Sequence, residues 1–218
     1  MKSPSSLATV LLLIAVPFGY AYYLYPNLPE QIPVHFNIKG EADNWSSREG
    51  IFLSPAIMAV VSLIVFFMLT NIKKIDPKRY FKGEDKVFRQ FSLFLVLFLT
   101  LLSLAILYGT AHFTGTFKNL ILPIIALGFM GMGYFLPQLK QNYFAGFRLP
   151  WALEDENNWN ATHQLAGTLF VWGGLLLFIG TILLEPRTAT YFFLSLTLLM
   201  ALIPTAYSFW LFKQKKGT

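Results

Sequence analysis

The sequence predicts an all-α polytopic membrane bundle of six transmembrane helices, with both termini cytoplasmic. Three observations predict it. Only 28 of the 218 residues are charged, 13%, about half the roughly 25% of a soluble domain. All 28 are absent from six mostly apolar stretches, 3–29, 50–72, 90–117, 119–139, 157–184 and 188–212, each at least 21 residues long. About 20 apolar residues cross a hydrocarbon layer of roughly 30 Å. Finally, counting the stretches as alternating crossings puts 13 of the 17 Lys and Arg residues on one side. These are Lys2, Lys73, Lys74, Lys78, Arg79, Lys82, Lys86, Arg89, Lys140, Arg148, Lys213, Lys215 and Lys216. Lys39, Arg48, Lys118 and Arg187 fall on the other. The side richer in Lys and Arg is the cytoplasmic one.

Several classes are excluded. A membrane β-barrel shows alternation rather than solid apolar runs. Six spans use about 120 residues at about 20 each, so 1–218 reads as one membrane domain without a separate soluble unit. A pI near 9.5 would suggest nucleic acid in a soluble chain. Here the basic residues sit at membrane edges, where lipid is the expected partner, and no direct nucleic-acid partner is expected. The chain has no cysteine, which excludes disulfides, thiolate metal sites and thiol catalysis.

Span 1 starts after Lys2. Its apolar run continues to Tyr25, longer than an ordinary signal-peptide core. It ends in Tyr20, Tyr22, Tyr23 and Tyr25, which suit the headgroup level. Residues 26–50 then form a Pro-rich extracytoplasmic module. Pro26, Pro29 and Pro33 keep it extended. Ile32, Val34 and Phe36 alternate like a short strand. Gly40 and Asp43 mark a turn, and Ser46 with Glu49 reads as a capping box opening span 2. The segment is therefore expected to be an ordered lid. His35 and Asp43 are expected to bond backbone groups. His35, Asp43 and His112 all fall on the outer side, but three ligands on separate segments are a weak metal pattern. No metal and no cofactor are expected.

Spans 2 and 3 flank the basic loop 72–88. Spans 4 and 5 carry Gly128, Gly131, Gly133, Gly167, Gly173, Gly174 and Gly180, which favour close helix packing. Between them, residues 138–163 form a cytoplasmic aromatic and acidic module. Gly146 permits an unusual backbone angle. Pro150 is expected to stop any helix. Glu154, Asp155 and Glu156 suit a helix start. Trp159, Thr162, His163, Ala166, Gly167 and Phe170 recur at helical spacing and share a face. Two readings stay open. In one, Arg148 pairs with the acidic cluster as a clamp while Trp151 and Trp159 anchor at the interface. In the other, Arg148 and His163 face an anionic group or a proton path.

Both modules resemble the SdpI family of bacterial toxin-immunity membrane proteins. The outer match runs through Tyr25, Pro26, Leu28, Pro29, Ile32, Pro33, His35, Phe36, Gly40 and Asp43. The inner match runs through Asn142, Gly146, Arg148, Pro150, Trp151, Leu153, Trp159, Thr162, His163 and Gly167. Leu149 and Ala152 depart from the family's expected threonines. The resemblance implies a multi-pass protein of the bacterial cytoplasmic membrane that protects against a secreted, membrane-active toxic peptide. It also implies a sensor that captures a cytoplasmic transcriptional repressor. The longest outer segment is the natural place for the toxin, so His35, Phe36, Asp43 and Trp45 are the binding candidates. Asn142, Gly146, Arg148, Trp151, Trp159, Thr162 and His163 are the inner-loop candidates.

A small transporter or proton-coupled carrier is the alternative. It would want Asp, Glu, Lys or Arg within spans, and the six stretches hold none. A membrane enzyme would want a nucleophile with its base, or H-E-x-x-H. The sequence shows neither, so no enzyme and no catalytic residue are expected.

Overall fold

The computed structural model describes residues 4–37, 41–76, 85–112 and 120–216. Lys2, Lys39, Gly40, Lys78, Arg79, Lys82 and Lys118, which enter the charge count or the outer motif, lie outside the described residues. The elements are α1 (Pro4–Leu24), β1 (Gln31–Phe36), β2 (Ala42–Ser47), α2 (Leu53–Thr70), α3 (Ile72–Ile75), α4 (Asp85–Ala111), α5 (Ile121–Phe135), α6 (Pro150–Glu154), α7 (Glu156–Leu183) and α8 (Pro186–Lys216). Six of the helices are long and apolar enough to cross a membrane: α1, α2, α4, α5, α7 and α8. The helical class and the span count are as the sequence predicts.

Helix limits follow packing more than charge. α4 begins at Asp85 and carries Lys86 and Arg89 in its first turns, because long cationic side chains can lie along a helix end with their heads in water. The bundle has two neighbourhoods. α1, α2 and α4 pack around Val10, Phe66 and Val96. Thr100 Oγ1 of α4 donates to Val96 O at 2.9 Å and lies 3.2 Å from Leu13 O of α1. α7 packs between α5 and α8, around Ala126, Leu177, Phe193 and Met200. The α5–α7 approach is close enough to require glycine. A Cβ on Gly133 would stand 2.7 Å from Val171 N and 2.8 Å from Gly167 O. Small residues are what let membrane helices meet backbone to backbone. The two neighbourhoods join through Leu69, Phe88, Phe91, Phe135 and Leu139. On α2, Leu53, Ile57, Val60 and Ile64 form one exposed apolar stripe, the surface that lipid covers.

Four expectations are corrected. Asp43 lies inside strand β2, which pairs with β1 in a small antiparallel sheet, rather than in a turn. The capping box does not form. Ser46 is a strand residue paired with Ile32, and Ser47 precedes a 3-10 turn, Arg48–Phe52, that leads into α2. Glu49 instead accepts from Tyr25 OH at 3.1 Å. Pro150 starts a one-turn helix, since a first-turn residue needs no N–H partner. The tyrosine belt is partial: Tyr22 and Tyr23 are exposed, whereas Tyr20 and Tyr25 pack on the cluster beneath the hairpin.

Candidate functional site

The outer module is a hairpin seated on the helix ends. Ile32 of β1 is buried with Ala21, Leu24, Leu28, Ile51 and Leu107. Strand alternation breaks at Pro33: Ile32 and Pro33 are both buried, Val34 and His35 both exposed. Register shifts at Pro33/His35 and His35/Phe36 explain it, because a bulge re-aims the side chains that follow. The ends of the hairpin are tied by Arg48 N to Glu30 O at 3.1 Å and Asn37 N to Glu41 O at 2.9 Å. Beside them the Arg48 guanidinium lies 5.2 Å from the centre of the Tyr25 ring.

The structure brings His35 and Asp43 together. His35 Nδ1 lies 2.5 Å from Asp43 Oδ1 across the two strands, so their expected partners, backbone groups, are replaced by each other. The exposure of the pair limits its worth to about 0–1 kcal/mol. Phe36 is half-buried and Trp45 is exposed. Beneath β1 opens a groove of ≈ 430 Å³, lined by β1, α2, α4 and Ile121 of α5. His35 and Phe36 line it; Trp45 does not. His112 stacks on Tyr108 and its Nδ1 lies 3.0 Å from Tyr108 O. Among the described residues no group of three His, Asp or Glu side chains converges.

The inner module is held by side chains that bond its backbone. Buried Asn142 makes four hydrogen bonds. Its Oδ1 accepts from Phe144 N at 2.8 Å and Ala145 N at 2.7 Å. Its Nδ2 donates to Lys140 O at 2.8 Å and Ala145 O at 3.1 Å. Gly146 follows with φ of 106°. A Cβ there would collide with the His163 ring. His163, 1% exposed, accepts from Phe147 N through Nε2 at 3.0 Å, and its Nδ1 lies 2.8 Å from Trp159 O. Both contacts are satisfied together by the neutral ring protonated at Nδ1, since a carbonyl only accepts and an N–H only donates. The ring also stacks on Trp159, centroids 4.0 Å apart.

Two clamp expectations are corrected. Arg148 Nη1 donates to Tyr143 O at 3.0 Å, inside its own loop. Asp155, a member of the acidic cluster expected to meet it, meets Lys215 of α8 at 3.0 Å. Trp159 is no interfacial anchor. It is wholly buried, and its Nε1 donates to Leu139 O at 2.8 Å. Trp151 is half-buried and donates through Nε1 to Ser208 Oγ at 3.0 Å. Asp155 also caps α7, accepting from Asn157 N at 3.1 Å. Burial pushes its carboxyl up, but the Lys215 bond and the backbone N–H groups pull harder, leaving it below the ordinary aspartate value.

Sequence reasoning missed Asn158, Ser208 and Lys215. Asn158 Nδ2 donates to Ser208 O at 2.8 Å, and its Oδ1 accepts from Thr162 Oγ1 at 3.0 Å and Ser208 Oγ at 2.5 Å. This buried network ties α7 and the inner loop to α8. A signal existed: Asn158 precedes Thr162 by four residues on the face that holds Trp159, and Ser208 is a small polar residue between the aromatic Tyr207 and Phe209.

Residues 138–208 match the SdpI/YfhL protein family, and residues 12–59 match a domain of unknown function, DUF1648. The chain is 29% identical over 217 residues to the protein named Immunity protein SdpI from Bacillus subtilis, covering 95% of this chain and 96% of the relative. An uncharacterized protein of Archaeoglobus fulgidus is 34% identical over 70 residues, 32% of this chain and 38% of its own length. No solved structure matches. The two matched segments contain the outer and inner modules, and one relative aligns with the chain from end to end: this multi-pass membrane protein is similar to the SdpI-like family along its length.

Proposed function

We propose that the protein confers immunity, protecting the cell that carries it against a secreted, membrane-active peptide. The observation that carries this reading is the likeness to an immunity protein across 95% of the chain. The architecture supports it. The outer hairpin is held by Tyr25, Arg48 and Glu49 before any ligand arrives, and a pre-ordered surface loses less entropy on binding. The inner loop is as firmly ordered, through Asn142, His163 and the Asn158–Ser208 network. In this reading the hairpin meets the peptide outside, and the inner module presents a cytoplasmic surface to a repressor. Arg148, exposed at its edge, is the partner-facing residue. No catalytic step is involved.

The test compares survival of cells with and without the protein during exposure to membrane-active peptides. His35→Ala and Asp43→Ala should abolish protection at unchanged abundance, because an exposed pair of this kind contributes at most about 1 kcal/mol to stability. Equal survival with and without the protein across such peptides would refute the immunity reading.

A further inference from the structure

We propose that the groove beneath the hairpin, rather than the hairpin's outward face, receives the apolar side of a cationic amphipathic peptide. The inference rests on the immunity reading and names the ligand's class and seat.

Three features of the groove favour that occupant. Its walls are apolar: Val34 and Phe36 from β1, Ile57 from α2, Ile106 and Leu107 from α4, and Ile121 from α5. It is continuous with the lipid-facing stripe, since Leu53 and Ile57 belong to both. A peptide already partitioned into the outer leaflet therefore reaches it by moving sideways, without crossing water. The segment beside it is net negative. His35 lines the groove and holds Asp43, and Glu30 and Glu41 are exposed on the same hairpin. Residues 26–50 carry Glu30, Glu41, Asp43 and Glu49 against Lys39 and Arg48, a net charge of −2 (2 − 4).

Apolar walls beside a net negative segment match a helix with leucine-like residues on one face and lysines beside them. An acyl chain would use the walls and leave the acidic segment unmatched. In the wall, Ser54 Oγ is buried and has no hydrogen-bond partner among the described residues, which leaves it available to a peptide backbone group. Trp45 is outside the groove, so of the two aromatic candidates Phe36 alone lines it.

The test uses full-length protein in lipid nanodiscs, a synthetic Leu/Lys amphipathic helical peptide as probe, and the photo-crosslinking residue benzoylphenylalanine at Ile57, at Ile106, or at the lipid-facing control Leu198 of α8. The expected result is peptide crosslinking from Ile57 and Ile106 at roughly ten times the Leu198 yield, a preference equivalent to about 1.4 kcal/mol. Ser54→Trp, which fills the groove, should erase the preference. Should that variant misfold, the exposed double change Glu41→Lys with Asp43→Lys serves instead and should lower crosslinking at low salt. Equal peptide yields from Ile57 and Leu198, or crosslinks from Ile57 to lipid alone, overturn the proposal. In cells, full protection by Ser54→Trp at wild-type abundance overturns the groove and leaves the immunity reading standing. Selective crosslinking without any survival advantage supports the groove and overturns the immunity reading.

Discussion

Asn142→Ala is expected to collapse the inner loop, and the structure sets the size of the effect. The wild-type side chain is wholly buried and satisfies four backbone groups between Lys140 and Ala145. Two of its bonds, to Ala145 N and Ala145 O, are in buried surroundings; the other two are partly exposed. A buried backbone group left without a partner costs about 1–3 kcal/mol, so the Ala145 pair alone contributes about 2–6 kcal/mol, again from the orphaned-group penalty. Water can replace the partners of Phe144 N and Lys140 O, which add little. At about 2–4 °C per kcal/mol for a chain of this size, the melting temperature in detergent should fall by at least about 4 °C, from the lower end of those ranges. The assay is thermal unfolding followed by loss of the monodisperse peak in size-exclusion chromatography. Asn142→Asp keeps the two acceptor bonds, loses both donors and buries a charge, so it should be at least as damaging near neutral pH. Melting of Asn142→Ala within about 1 °C of wild type would refute the reasoning, since even one orphaned buried group predicts more.

Other outcomes follow from the same geometry. Gly146→Ala should lower stability by at least about 1–2 kcal/mol, the cost of a left-handed conformation with a side chain, and the collision with His163 adds to it; unchanged melting would show that the loop relaxes freely. Asp155 titrates below its unfolded value, so its contribution is complete above the ordinary aspartate range and disappears as pH falls through the lower folded value. Melting curves against pH should show that acid loss, and Asp155→Asn should flatten it. Reporter fusions at 72–88 and 138–160 should read cytoplasmic, and fusions within 26–50 external; an external signal from 72–88 would overturn the orientation drawn from the 13-to-4 charge split.

What the sequence determines alone is set by local physics. A run of apolar residues without charge is stable only across lipid, so the six spans can be counted from the charge-free stretches themselves. Helical spacing places Trp159, Thr162, His163 and Ala166 on one face, and they are buried there. Gly146 reads as a special backbone position, and its φ is positive. What only the tertiary structure decides is which partner each polar group meets. Arg148 and Asp155 are close in sequence and opposite in charge, yet Asp155 meets Lys215, 60 positions away. Asn158 and Ser208, 50 positions apart, meet because α7 and α8 pack side by side. The capping box fails for the same reason: the strand pairing of Ser46 with Ile32 takes precedence over its helix-start signature. Hydropathy accumulates along the chain and is legible residue by residue. A hydrogen bond depends on two groups brought together by the packing of everything between them, and the hairpin, its groove and the inner-loop network all rest on such pairs.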